Sequence, residues 1–125
     1  MVVVTKTKDT PQVDFENNLI NIKGRLIPTD YVKFYNSLKK FIGKLESKKT
    51  FPITININLD FINASSKKFM VDTFSLFEKR IEKGNRLNIN WYYEEGDDDM
   101  YDLGLIYKSI IKIPFRLIEI KKGDQ

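Results

Sequence analysis

Residues 53–61 alternate between apolar and polar side chains with a regularity that constrains the fold more than any other feature. A period of two is typical of a β-strand that buries one face and leaves the other face in water. The apolar positions are Ile53, Ile55, Ile57, Leu59 and Phe61, and the polar positions are Thr54, Asn56, Asn58 and Asp60. The sequence therefore predicts a central strand in a sheet that is covered on one side only.

Residues 87–93 predict a second strand of the same kind. Its apolar positions are Leu87, Ile89, Trp91 and Tyr93, and they alternate with Asn88, Asn90 and Tyr92. Two neighbouring strands that are each apolar on one side indicate a sheet with helices on one face. A doubly wound fold is excluded, because its strands are apolar on both faces. We expect Asn56, Asn58, Asn88 and Asn90 to be largely exposed on the uncovered face.

The remaining elements follow from helical spacing and turn residues. Apolar side chains recur at helical spacing in three segments, which predicts helices at about residues 30–47, over residues 70–81 with Gly84 as the C-terminal cap, and over residues 100–110. Asn17 and Asn18 suit the tight turn of a β-hairpin over residues 13–22, since Asn tolerates positive φ. A last strand follows Pro114. The fold class is therefore α/β, with a mixed sheet of about five strands and three main helices on one face.

The chain forms one domain, which we place at residues 11–121. A length of 125 residues is enough to bury a core, and no linker or internal repeat divides the sequence. Residues 1–10 are interpreted as a loose leader, with a tag or an ordered edge strand as alternatives, and residues 122–125 as a tail. No apolar run is long enough to span a membrane, which favours a cytoplasmic protein.

The composition lacks both Cys and His, and this absence argues against most enzyme classes. Cysteine nucleophiles, thiolate metal sites and the common serine–histidine triads are excluded. The net charge of +4 is mild, and the surface lysines come without an aromatic stacking platform or a groove-reading motif. A nucleic-acid-binding module therefore remains only an alternative, and we expect no cofactor.

Six carboxylates lie between Glu94 and Asp102. Clustered carboxylates can hold Mg²⁺ or Ca²⁺, and a small metal-dependent hydrolase using residues 94–99 is a second alternative. The spacing is not that of an EF-hand loop, and acids in the first turn of a helix are favoured by the helix dipole. We therefore expect no metal site, and instead a negative patch that faces a partner.

A polar turn, residues 63–68, joins the central strand to the second helix, and it contains Ser65 and Ser66. One explanation is that a serine caps the helix. A serine at an exposed helix N-terminus is also a good phosphoacceptor, because the dipole and the free N–H groups stabilise the added dianion. Only Lys67 and Lys68 lie close enough to activate a nucleophile, and they are weak candidates.

Several blocks of sequence carry a resemblance to a known family. They are TPQVDF with the hairpin and a GR-x-x-P turn (residues 10–28), LDFINASSKKFMVD (residues 59–72), WYYEEGDDDM (residues 91–100) and PFRLIEI (residues 114–120). In these blocks the chain resembles the SiaC-type regulatory phosphoproteins of bacteria. The blocks span nearly all of residues 10–120, and WYYEE followed by acids is the specific part.

The resemblance implies a STAS-like two-layer sandwich, the fold of anti-anti-sigma factors, and a partner-switching role. In such systems a Ser/Thr kinase phosphorylates a hydroxyl at the strand-to-helix turn, and a phosphatase reverses the reaction. The unmodified form binds and activates a diguanylate cyclase or another target. By position, the partner-binding residues are expected to be Asn63, Lys67, Lys68, Tyr92, Tyr93, Glu94 and Glu95.

This chain departs from the family pattern at the acceptor. The family has a phosphorylatable Thr after the Asn, whereas Ala64 follows Asn63 here. Ser65 and Ser66 are the candidate phosphorylation sites, and the spacing in anti-anti-sigma factors favours Ser65. The alternative is a member that no longer switches by phosphorylation. The leading hypothesis is a non-enzymatic signalling protein that regulates a target by protein–protein contact.

Overall fold

A computed structural model describes residues 1–27, 31–45 and 52–121 of the chain. The strands are β1 (Val2–Val4), β2 (Gln12–Glu16), β3 (Leu19–Leu26), β4 (Ile53–Ile62), β5 (Leu87–Glu94) and β6 (Phe115–Ile120). The helices are α1 (Tyr31–Gly43), α2 (Lys67–Glu82) and α3 (Asp98–Ile110), and a 3₁₀ turn (Ala64–Ser66) precedes α2. The predicted tail at residues 122–125 lies outside the described residues, and α1 ends at Gly43, earlier than predicted.

The six strands form one mixed sheet in the order in which they occur along the chain. β1, β2 and β3 are antiparallel neighbours, and β3 to β6 run parallel to one another. Each parallel pair is joined through a helix, and such crossovers are right-handed almost without exception. Because the strands are added in one direction, all three helices lie on the same face. The predicted two-layer mixed α/β fold is confirmed.

Residues 2–4 are an edge strand rather than part of a loose leader. Val2 pairs with Asp14, Val4 pairs with Val13, and the N–H of Phe15 donates to the carbonyl of Met1 at 2.9 Å. The strand count is therefore six instead of about five. Within the described residues, no helix is long and apolar enough to cross a membrane.

The alternating pattern of β4 ends at Leu59 instead of continuing to Phe61. Ile53, Ile55, Ile57 and Leu59 are buried, but Phe61 is 44% exposed. The pairing with β3 shifts by one residue between Gly24 and Arg25, so the extra residue in β4 turns the next side chain away from the core. The Phe61 ring lies under the guanidinium of Arg25, 5.4 Å from the ring centroid.

The uncovered face carries a ladder of asparagine side chains across three strands. Asn56 Nδ2 donates to Asn21 Oδ1 at 2.9 Å, and Asn90 Nδ2 donates to Asn56 Oδ1 at 2.9 Å. No helix covers these residues in the described part of the chain, as predicted. The four asparagines predicted to be largely exposed, Asn56, Asn58, Asn88 and Asn90, are instead half-buried, because neighbouring side chains on the same face shield one another.

We expect Asn56→Ala to lower the free energy of unfolding by about 1–2 kcal/mol, because it removes the side chain that joins both hydrogen bonds of the ladder. Urea unfolding of the purified protein measures the change. Asn58→Ala is the matched control, since Asn58 lies two residues further along the same face outside this ladder. Equal losses for the two variants would contradict the energetic role of the ladder.

Candidate functional site

The turn that joins β4 to α2 is organised by the side chain of Asn63. Its backbone is extended (φ −82°, ψ 162°), and its Oδ1 accepts hydrogen bonds from the backbone N–H and the hydroxyl of Ser66, each at 3.0 Å. The N–H of Asn63 donates to the carbonyl of Leu26 on the neighbouring strand. The Asn63 side chain is thus used inside the turn, where it satisfies the start of the 3₁₀ segment.

The two serines occupy opposite environments. Ser66 is fully buried, with 0% exposure, and its hydroxyl is held by Asn63. Ser65 and Ala64 are exposed. The expectation of a serine cap is therefore wrong: Asn63 is the capping residue, and Ser66 makes no side-chain hydrogen bond to the first turn of α2. The burial of Ser66 also weighs against it as a phosphoacceptor, whereas Ser65 is accessible.

The first turn of α2, which carries Lys67 and Lys68, is anchored from both sides. Tyr107 of α3 donates its hydroxyl to the carbonyl of Lys67 at 2.6 Å, and Tyr31 of α1 donates to the carbonyl of Phe69 at 2.8 Å. Burial raises the pKa of Tyr31 to about 12, and burial also raises the pKa of Tyr107, so both hydroxyls stay protonated donors. Both lysines are exposed, and Lys68 Nζ lies 5.5 Å from the centroid of the Phe69 ring.

A groove of about 200 Å³ connects this turn to the N-terminal end of α3. Its lining combines residues of β4, of the turn and of α3: Asp60, Phe61, Ile62, Ala64, Lys67, Asp97, Asp99, Met100 and Leu103. β4 and β5 are parallel neighbours, so the segments that follow them emerge at the same edge of the sheet. The sequence-predicted turn and part of the acidic run therefore form one surface.

The acidic run begins α3. Asp97 Oδ1 accepts from the N–H of Met100 at 3.1 Å, Asp98 and Asp99 lie in the first turn, and Gly96 supplies the positive φ of 87° that the preceding turn needs. No three acidic side chains among the described residues are placed to share a metal ion. The run therefore has a capping role and leaves exposed carboxylates at the groove.

The structure separates the aromatic residues that the sequence groups with this site. Tyr92 lies on the uncovered face, where it lines a groove of about 350 Å³ with Asn21, Asn56 and Asn58. Tyr93 points to the helical side and packs against Tyr101 with ring centroids 5.0 Å apart. Adjacent residues of a strand point to opposite faces, so one partner surface on one face cannot use both rings.

Glu94 and Glu95 are exposed where β5 ends, at the same edge as the turn. Sequence reasoning missed Asp60, Leu103 and Tyr107 as members of this region. Leu103 and Tyr107 follow helical spacing, which identifies them as core residues but not as neighbours of the turn. Only the adjacency of β4 and β5 reveals that relation.

Comparisons with known proteins agree with this architecture. The family model described as "SiaC family regulatory phosphoprotein" matches residues 4–120. An uncharacterised protein of Pseudomonas aeruginosa strain UCBPP-PA14 is 20% identical over 113 residues, which are 89% of this chain and 90% of that protein.

Solved structures give the same result for the fold. A crystal structure of the diguanylate cyclase SiaD in complex with its activator SiaC, from Pseudomonas aeruginosa, contains a chain that is 19% identical with a TM-score of 0.79, covering 96% of this chain and 99% of that one. A structure of SiaC of Pseudomonas aeruginosa is 18% identical with a TM-score of 0.75, covering 94% and 96%. At this level of identity the structural likeness establishes the fold alone.

Proposed function

This chain belongs to the SiaC family of regulatory phosphoproteins, and from that premise we propose that it is a cytoplasmic partner switch in which phosphorylation of Ser65 controls binding to a diguanylate cyclase. Membership of a regulatory family confirms the predicted family and the predicted non-enzymatic class. The observation that carries the finer proposal is the exposure of Ser65 beside the family acceptor position, where this chain has Ala64.

The environment of Ser65 suits a phosphate. Ser65 lies two residues before α2 begins, where the helix dipole favours negative charge, and Lys67 and Lys68 are nearby in the sequence and exposed. Asn63 and Ser66 already satisfy each other, so a phosphate on Ser65 breaks no hydrogen bond of the turn. We therefore expect the modification to change the stability of the fold by about 1 kcal/mol or less.

We expect phosphorylation of Ser65 to change the affinity for a partner that covers the turn much more than it changes the stability of the fold. A dianion at the contact surface must be desolvated or repelled when the complex forms. The unmodified chain is accordingly the form that binds the cyclase. A Ser/Thr kinase would install the phosphate and a phosphatase would remove it, and both need the accessible hydroxyl that Ser65 offers and that the buried Ser66 does not.

The partner class is supported by the relatives. The structurally similar SiaC of Pseudomonas aeruginosa is an activator that forms a complex with the diguanylate cyclase SiaD. A chain with the same family and fold has the corresponding partner class as its first candidate. No contact in the described structure favours a nucleic-acid-binding module, and the capping role of Asp97 accounts for part of the acidic run without a hydrolase.

We expect Ser65→Asp to weaken binding to the diguanylate cyclase of the same genome at least tenfold, and Ser65→Ala to bind as tightly as the wild type. Titration by calorimetry measures both, and mass spectrometry of the chain isolated from its host locates phosphate. Ser75→Asp is the matched control, because Ser75 is an exposed serine of α2 away from the turn.

Two results would contradict the switch. One is the absence of phosphate from Ser65 in the host together with equal cyclase affinity for Ser65→Asp and the wild type. The other is an equal loss of affinity in Ser75→Asp, which would show a general charge effect instead of a local one. In the first case Ala64 would mark a member that kept the fold and lost the regulation.

A further inference from the structure

Helix α3 carries an unusual share of exposed apolar surface. Tyr101, Leu105, Ile106 and Ile110 are all exposed, and Ile106 and Ile110 reach 57% and 54%. Helical spacing places Ile110 on the same side as the buried Tyr107, but Ile110 is the last residue of the helix and stays exposed. Ile106 and Ile110 lie one turn apart on one side of the helix, and such neighbouring exposed apolar residues indicate a contact surface more often than isolated ones do.

Ile106 and Ile110 share one side of α3 with residues that line the groove. The spacing 99, 103, 106 and 110 is the i, i+4, i+7, i+11 pattern of a single helical stripe. Asp99 and Leu103 of this stripe line the groove together with Ala64 and Lys67 of the turn. The stripe of α3 defined by Asp99, Leu103, Ile106 and Ile110 is therefore continuous with the groove that the turn residues Ala64 and Lys67 line.

We propose that this α3 stripe, with the groove at its N-terminal end, docks one amphipathic helix of the partner. The proposal rests on the proposed function and names the contact that the switch controls. From Asp99 to Ile110 the stripe is about 17 Å long, which matches about three turns of a single helix. Leu103 is itself buried and contributes only to the groove wall, so a partner helix that presents apolar residues at i and at i+3 or i+4 can contact the exposed Ile106 and Ile110.

Charge identifies the end of the partner helix that meets the groove. The groove is lined by the carboxylates of Asp60, Asp97 and Asp99, and by one cation, Lys67. A lysine or arginine at the corresponding end of the partner helix complements this surface, and the electrostatic part of binding is weakened by salt.

The same charge pattern argues against a second copy of this chain as the occupant. An antiparallel pair of α3 stripes would place the carboxylate of Asp99 near the apolar Ile110 of the other copy, and that contact pairs a charge with a hydrocarbon. The stripe is acidic at one end and apolar along the rest, so it fits a partner of complementary sequence.

The test compares substitutions on and off the stripe that change its charge, with the purified diguanylate cyclase of the same genome as the probe. Ile106→Glu and Ile110→Glu are expected to lower cyclase affinity at least tenfold. Asp99→Asn is expected to lower affinity a few-fold and to reduce its salt dependence. Val32→Glu is the matched control, because Val32 is a 70% exposed apolar residue on α1, and it should bind as the wild type does.

Circular dichroism and urea unfolding of the four variants separate a lost contact from a lost fold. Binding that survives Ile106→Glu and Ile110→Glu, or that falls equally in Val32→Glu, overturns this inference. If these variants bind normally while Ser65→Asp does not, the docking stripe is wrong and the switch stands. If the wild-type chain binds no diguanylate cyclase, the proposed function and this inference fall together. A concentration-dependent dimer that Ile106→Glu disrupts would instead identify a second copy as the occupant.

Discussion

Gly104→Val is expected to lower the free energy of unfolding by about 3 kcal/mol or more, because no side chain fits between α3 and the sheet at this position. A Cβ at Gly104 would lie 2.6 Å from Trp91 Cδ1, 2.8 Å from Trp91 Nε1 and 3.0 Å from Leu117 Cδ2. The first two distances are shorter than non-bonded carbon and nitrogen atoms tolerate. Either the indole or the whole helix must move.

The indole of Trp91 cannot move without further losses. It is buried, its Nε1 donates to the carbonyl of Met100 at 3.0 Å, and its ring packs edge-on against Tyr107 with centroids 5.3 Å apart. A shift of α3 instead pulls Tyr107 away from the carbonyl of Lys67, which anchors the first turn of α2. The strain therefore reaches the turn that carries Ser65.

Gly43→Val is the matched control for this prediction. Gly43 is the last residue of α1, and a Cβ there meets no atom within 4 Å. We expect a change of about 0.5 kcal/mol or less in the control, as for most surface substitutions. Urea denaturation followed by tryptophan fluorescence gives both values. Equal midpoints for the two variants would show that α3 can move away from Trp91 at little cost.

The strands of this fold were predictable wherever one face of the sheet is buried. β4 and β5 each bury alternate residues, so the period of two is visible in the sequence without any knowledge of their partners. β1 has only three valines, and its strand pairing is with Val13 and Asp14, well outside its own segment of the chain. No local pattern distinguishes such an edge strand from a loose leader.

The position of Phe61 shows a different limit of sequence analysis. Alternation assigns Phe61 to the core, but one extra residue in β4 reverses the direction of the side chains that follow. A bulge is specified by the pairing of two strands, and the sequence of one strand does not reveal it. The error matters for the site, because Phe61 is one of the residues that line the groove.

The capping residue was not predictable because three neighbouring candidates share the same chemistry. Asn63, Ser65 and Ser66 all belong to residue types that cap helices well. The 3₁₀ turn at Ala64–Ser66 begins three residues before α2, so Asn63 becomes the capping residue and Ser66 has a helical backbone (φ −85°, ψ −13°). The grouping of the turn with Asp97 and Asp99, in contrast, follows once β4 and β5 are recognised as parallel neighbours.

Ser66→Asp is expected to lower the free energy of unfolding by about 2–3 kcal/mol, whereas Ser65→Asp should change it by about 1 kcal/mol or less. The carboxylate of Ser66→Asp would replace a fully buried hydroxyl and face Asn63 Oδ1, which is itself an acceptor. The helix dipole offsets only part of that cost, since the Ser66 side chain does not point at the free N–H groups of α2.

This difference makes the two serines distinguishable in a partner-binding experiment. Ser66→Asp would weaken cyclase binding by distorting the turn, so its loss of affinity should accompany a lower unfolding midpoint and should also appear in Ser66→Val, which carries no charge. Ser65→Asp should lose affinity with an unchanged midpoint, and Ser65→Val should bind as the wild type does. If Ser66→Asp were as stable as the wild type, the buried site of Ser66 would accommodate a charge. Ser66 would then be as good a candidate phosphoacceptor as Ser65.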